Sequence, residues 1–200
     1  MLYRHSLRIH GFDYSTEGAY FITISCAKWK YRFGQILPTT IDADMQKENI
    51  SNEGLHDSPL VLTSAQIILN DLGQIAQNEW LKLPERFPNC TLGVFQIMPH
   101  HMHGILILKN LPNTPSEENS EGLAIKAASI PDIIRSYKSI VYNECLKIYK
   151  AKDQILGRLW LRNYHEKILH NENVFNMATN YILNNPDKYL ASRNKQLPKK

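Results

Sequence analysis

Three histidines fall within four residues in the stretch IMPHHMHGILIL, Ile97 to Leu108, which then runs on as unbroken aliphatic sequence. Side chains alternate across a strand, so residues two apart share a face. His101 and His103 then point one way and Met102 the other, with His100 at the start of the strand. Two imidazoles separated by one apolar residue can chelate a divalent ion while the apolar residue anchors the strand. A His-x-His pair also arises from ordinary core packing, and a metal site needs a third and fourth ligand. Gly104, directly after the pair, favours close approach of another backbone or of a ligand.

The pair needs a rigid strand beneath it, and the chain offers several elements that could supply one. AYFITISCA (19–27) is β-branched and aromatic, a core strand. The segment LTSAQIILNDLGQIAQNEWLKLPERFP reads as a helix capped at Thr63 or Ser64. Its apolar residues Ile67, Ile68, Leu72, Ile75, Ala76 and Trp80 keep helical spacing until Pro84. Strands are expected at 90–98 and 101–109, antiparallel because the link between them is short. A second helix covers 130–150, with Pro131 in its first turn and Ile133, Ile134, Tyr137, Val141, Cys145 and Ile148 as its apolar stripe. Residues 158–169 read as extended, and a last helix is cut near Asn184 by Pro186.

Setting the last helix aside leaves βαββαβ. The fold class is therefore α+β, a ferredoxin-like sandwich with an antiparallel sheet and helices on one face, plus a C-terminal helix. One domain is expected over 1–200, with loop-like insertions at 38–59 and 110–128.

Composition bounds the partners. The 200 residues are enough for one substantial core, 43% are hydrophobic, and the net charge is only +4. That tilt permits a polyanionic partner without requiring one. Cys26, Cys90 and Cys145 are odd in number and widely spaced, which suits reduced core thiols better than a disulfide frame or a zinc knuckle. No apolar run approaches the ~20 residues of a membrane span, so a soluble, intracellular chain with no membrane partner is expected. Arg135 and Lys138 on the second helix, and Arg158, Arg162 and Lys167 along the late extended segment, interleave with Trp160, Tyr164 and His165. Singly these are solvated charges. Together they suit single-stranded DNA, through phosphate pairing and base stacking.

The stretch QIMPHHMHGILIL resembles the His-hydrophobic-His strand of the HUH single-tyrosine transposases, whose usual form is Met-Pro-Asn-His-Val-His. More narrowly it resembles the REP-associated, insertion-sequence-200-like branch. RIHGFDYSTEGAYFITIS with YRFGQI, IIRSYKSIV, LWLRNYHEKILHNE and YILNNP resemble further blocks of that branch in the same order. His100 departs from the pattern, standing where the family carries Asn. It leaves both ligand positions intact and adds an imidazole able to compete for metal or contact DNA.

The resemblance implies a metal-dependent single-stranded DNA transesterase that cuts and joins strands beside hairpin or foldback ends. Tyr181, at the tyrosine of Tyr-Ile-x-x-Asn-Pro, is implied as the nucleophile that forms a 5′-phosphotyrosine. Tyr164, Tyr189 and Tyr137 are its rivals, Tyr137 lying on an apolar stripe. Asn185, four residues on and on the same helical face, is either a third metal ligand or a helix cap before Pro186. Glu166 and His165 are alternative ligands. Mg²⁺ or Mn²⁺ is the implied cofactor, and the implied setting is the bacterial cytoplasm, nucleoid-associated, as monomer or homodimer. Two other classes stay open: a domesticated relative that binds structured DNA without cutting it, and a metallohydrolase using activated water on His101, His103 and His165.

Overall fold

The computed structural model describes residues 15–39, 64–110 and 127–195. The expected insertions therefore lie largely outside the described residues. Four strands form the main sheet: β1 (Gly18–Ser25), β4 (Cys90–Ile97), β5 (His101–Leu108) and β6 (His165–Leu169). Their spatial order is β4-β5-β1-β6, and every pairing is antiparallel. With helix α1 (Asp71–Leu81) after β1 and helix α3 (Ile130–Ala151) after β5, this is the split βαβ arrangement of a ferredoxin-like sandwich.

Strand parity divides the core in two. Tyr20, Ile22 and Ile24 of β1 and Met102, Leu106 and Leu108 of β5 pack beneath α1 and α3, against Leu72, Ala76, Trp80, Ile133, Ile134, Tyr137 and Val141. Trp80 and Tyr137 are fully buried and meet edge to face at 5.2 Å. The Tyr137 hydroxyl donates to the Ala76 carbonyl at 3.0 Å. On the opposite face, Ala19, Phe21, Ile105, Ile107 and Leu169 pack with Val174, Phe175, Ala178 and Ile182 of helix α4 (Glu172–Leu183). Helix α4 thus covers the face that α1 and α3 leave open.

Gly104 belongs to the α1–α3 face. A Cβ there would lie 2.5 Å from the Trp80 ring, so the close approach that glycine permits is made by a core indole, not by a ligand.

Three sequence expectations are corrected. Residues 64–69 are not the first turns of a helix but strand β3 (Ser64–Leu69), paired with β2 (Gly34–Thr39) in a separate two-stranded sheet. The cap of α1 is Asn70, whose side chain accepts from the Gly73 amide at 3.0 Å. The alternating burial of 65–69 is a strand period, which the apolar pair Ile67 and Ile68 disguises. Pro84 lies in the first turn of a short helix, α2 (Leu83–Arg86). Of the late extended segment, only His165–Leu169 pairs as a strand, Trp160 making one isolated bridge to Cys26.

Helix α3 begins at a reciprocal capping box between Ser129 and Asp132, with Pro131 in its first turn. Helix α4 ends at Asn184, whose side chain donates to the Asn180 carbonyl at 2.8 Å. Helix α5 (Asn185–Lys195) then starts afresh, and Pro186 stands where its missing N–H costs nothing. Helix α5 rests on the small sheet, where the Ala65 amide donates to the Asp187 carboxylate at 2.7 Å.

Candidate active site

Helix α4 faces the same side of the sheet as His101 and His103, and the site forms between them. The two imidazole Nε2 atoms stand 3.0 Å apart. His103 is buried, its ring stacked on Phe21 with centroids 5.3 Å apart. Its Nδ1 lies 2.8 Å from the Thr23 hydroxyl, directly across the β1–β5 ladder. A hydroxyl accepting from Nδ1–H leaves the Nε2 lone pair free to face outward, the arrangement that orients histidine ligands in metal sites.

Burial and the neighbouring rings His103 and His100 hold the His101 imidazole down to about 3. Burial and His100 hold His103 down to about 4. Both rings are therefore neutral at physiological pH, the state in which imidazole binds metal. The Asn185 side chain lies close enough to the His101 ring to offset part of that lowering. His101 Nδ1 is buried without a hydrogen-bonding partner.

Tyr181 comes from the last turn of α4. Its ring meets His103 edge-on at 5.2 Å and Phe21 at 5.9 Å, and Lys188 of α5 places its ammonium 5.5 Å from the ring centroid. The residue is 42% exposed. The side chains thus converge from β5, β1, α4 and α5. Asn185 reaches His101 from the first residue of α5 rather than from the tyrosine helix, and the cap of α4 is its neighbour Asn184.

The donors present, two neutral imidazoles and a carboxamide, suit a divalent cation. Nitrogens bound to one ion at ~2.0–2.1 Å can stand as close as this pair. Among the described residues, no group of three His, Cys, Asp or Glu side chains is placed to hold one metal ion. Glu166 pairs with Ile22, whose side is the α1–α3 face, opposite the histidines. His165 shares the histidine face but lies one strand further on, across Thr23.

The rival tyrosines separate by position. Tyr137 is sealed in the core, and Tyr164 packs on the α1–α3 side. Tyr189 stays near the site, its ring 5.8 Å from His100.

The basic and aromatic residues expected to contact DNA do not form one surface. Trp160 is a core residue, its ring 5.0 Å from Phe33 and its indole N–H bonded to the Lys138 carbonyl, so it is not a stacking platform. Tyr164 is likewise turned toward the core. Lys138 donates to the Leu161 and Arg162 carbonyls, and burial lowers its ammonium to about 8. With Arg158, Arg162 and the small exposed part of Trp160 it lines an open cavity of about 580 Å³ between α3 and residues 157–162. Arg135 is exposed and paired with Asp132 at 3.4 Å. Lys167 is exposed on the histidine face.

Sequence reasoning passed over Thr23, Phe21 and Lys188. Thr23 and Phe21 sit at odd positions of a strand read as core, and only the β1–β5 register sets them against His103.

A protein of Haemophilus influenzae described as uncharacterized is 30% identical over 190 residues, covering 92% of this chain and 88% of its own length. The chain belongs to the family of that Haemophilus protein. No family model matches the sequence. Among solved structures, a REP-associated tyrosine transposase bound to a REP hairpin superposes with a TM-score of 0.52 at 13% identity, covering 93% of this chain and 74% of that one. That likeness establishes a shared fold for this family member. Among its described residues, no helix is long and apolar enough to cross a membrane.

Proposed function

We propose that the protein is a metal-dependent single-stranded DNA transesterase, a transposase that cuts and joins DNA beside hairpin ends. The observation that carries this reading is the placement of the Tyr181 ring against His103, on the sheet face that holds His101 and Asn185. The solved structural neighbour's hairpin-bound state supports the same reading.

In the proposed reaction the Tyr181 oxygen attacks a backbone phosphorus. The new Oη–P bond forms as the P–O3′ bond breaks, leaving a 5′-phosphotyrosine and a 3′-oxygen that takes up a proton. The phenolic proton departs to solvent. The covalent link conserves the ester, so a second 3′-hydroxyl can reverse the step and join strands without an external energy source. His101, His103 and Asn185 would hold Mg²⁺ or Mn²⁺, which when bound supplies Lewis-acid polarisation of the phosphate. Thr23 fixes the His103 ring, Phe21 supports both His103 and Tyr181, and Lys188 sets a positive charge beside the incoming phosphate.

The test incubates the protein with a labelled hairpin-bearing single strand and Mg²⁺ or Mn²⁺, followed by a denaturing gel. A covalent adduct lost in Tyr181→Phe and kept in Tyr164→Phe is the expected result. Cleavage without an adduct would instead identify a phosphodiesterase that uses activated water. Tight binding with neither outcome would identify a DNA-binding protein that has lost the chemistry.

A further inference from the structure

Immediately after β1 the sequence reads AKWKYRF, Ala27 to Phe33, alternating bases and rings. The ends of this segment are pinned. The Cys26 amide donates to the His100 carbonyl at 2.8 Å, and the Arg32 and Phe33 amides donate to Pro99 at 2.7 and 3.0 Å. Its tip is not buried: Trp29 is 60% exposed and Tyr31 63% exposed. Lys28 and Trp29 adopt φ of 57° and 52°, a left-handed backbone that side-chain-bearing residues rarely hold. Strain of this kind clusters at binding sites, where the surrounding structure enforces it.

Both exposed rings flank His100, each with its centroid 5.4 Å away. The His100 ring in turn meets His101 at 4.6 Å. A continuous run of ring contacts therefore leads from Trp29 and Tyr31 through His100 and His101 to His103 and Tyr181. Lys28 and Lys30 are exposed on either side of Trp29. Flat rings open to solvent, with lysines interleaved and a phosphoryl-transfer site next door, match an unpaired nucleotide: a base face to stack and phosphates to neutralise. A protein partner would find little apolar surface here beyond rings set between lysines.

Resting on the reading of the site as a DNA transesterase, we infer that Trp29 and Tyr31 form a stacking platform for one unpaired nucleobase beside the cleaved phosphate, with Lys28 and Lys30 on the flanking phosphates. His100 forms the floor of this platform, which gives the third histidine of the cluster a role distinct from that of the ligand pair.

The fold supplies its own reporter. Of the three tryptophans, Trp80 and Trp160 are buried at 0% and 6% exposure, so Trp29, at 60%, is the one broadly open to solvent. A hairpin oligonucleotide with single-stranded thymidine tails is titrated into the full-length protein while tryptophan emission is followed. The expected result is quenching that saturates with binding and is absent in Trp29→Ala. Trp29→Ala and Tyr31→Ala should each weaken binding about tenfold, and Trp29→Phe should recover most of the loss. Moving a single abasic site along the tail should abolish quenching at one position only. Far-ultraviolet circular dichroism and melting temperature should match wild type, because both rings are mostly outside the core. If wild type binds the hairpin without quenching and the alanine variants bind equally well, the platform is overturned while the transesterase reading stands. If wild type does not bind the hairpin at all, both fail together.

Discussion

His101 and His103 differ in how their inner nitrogens are held, and the difference has a measurable consequence. His103 Nδ1 has the Thr23 hydroxyl at 2.8 Å, whereas His101 Nδ1 has no hydrogen-bonding partner. Removing an outer partner of a histidine ligand typically lowers metal affinity about 10–100-fold. Thr23→Val should therefore weaken Mn²⁺ binding by that order in a calorimetric titration, with little change in secondary structure. Affinity equal to wild type would show that Phe21 stacking alone fixes the ring. The Tyr181→Phe comparison belongs to the same scale: the hydroxyl is removed and the ring that packs on His103 is kept. DNA binding should survive in that variant while the adduct disappears.

One element misread from sequence, strand β3, helps to position the site. Strand β3 looked helical because Ile67, Ile68, Leu72 and Ile75 fit a helical period across the boundary at Asn70, where strand gives way to helix. The small β2–β3 sheet in turn seats α5, through the bond from Ala65 to Asp187. Asp187→Ala should loosen that seat and, through it, the contact of Asn185 with His101. The expected outcome is slower adduct formation with little loss of global stability, read from single-turnover gels alongside a urea melt. Beneath the histidines, Gly104 leaves room for Trp80. A methyl at that position has no space, and overpacking of this kind costs about 1–3 kcal/mol. Gly104→Ala should lose stability of that order in urea denaturation, and Trp80→Phe in the same background should restore part of it.

For the molecule as a whole, the buried titratable groups set an alkaline limit on stability. Burial pushes the Cys26, Cys90 and Cys145 thiols up to about 12 and raises Tyr137 as well. In the unfolded chain thiols ionise near ~8.5 and tyrosine near ~10. The unfolded state therefore binds fewer protons than the folded state above pH ~8.5, and stability falls as pH rises from there toward 12. Lys138 acts in the opposite direction. Its ammonium is lowered to about 8 in the fold, so between there and its unfolded value of ~10.4 it favours folding as pH rises. Four groups against one give a net loss. Melting temperatures should decline from pH 8 to 10.5, and less steeply in Cys145→Ala; a flat profile would contradict the burial of these groups.

Some of this protein was legible in its residues alone. The strand period assigns His101 and His103 to one face and Met102 to the other, because side-chain alternation is local geometry. The stripe of α3 and its proline start are legible for the same reason, as is the break at Asn184 before Pro186. Tertiary structure decided what depends on register and on which face a helix covers. Only the pairing of β1 with β5 brings Thr23 to His103, and only the placement of α4 over the open face brings Tyr181 there. Trp160 was read as a stacking ring because composition does not show burial. The exposed pair Trp29 and Tyr31 was passed over because solvent exposure, like contact, belongs to the folded chain.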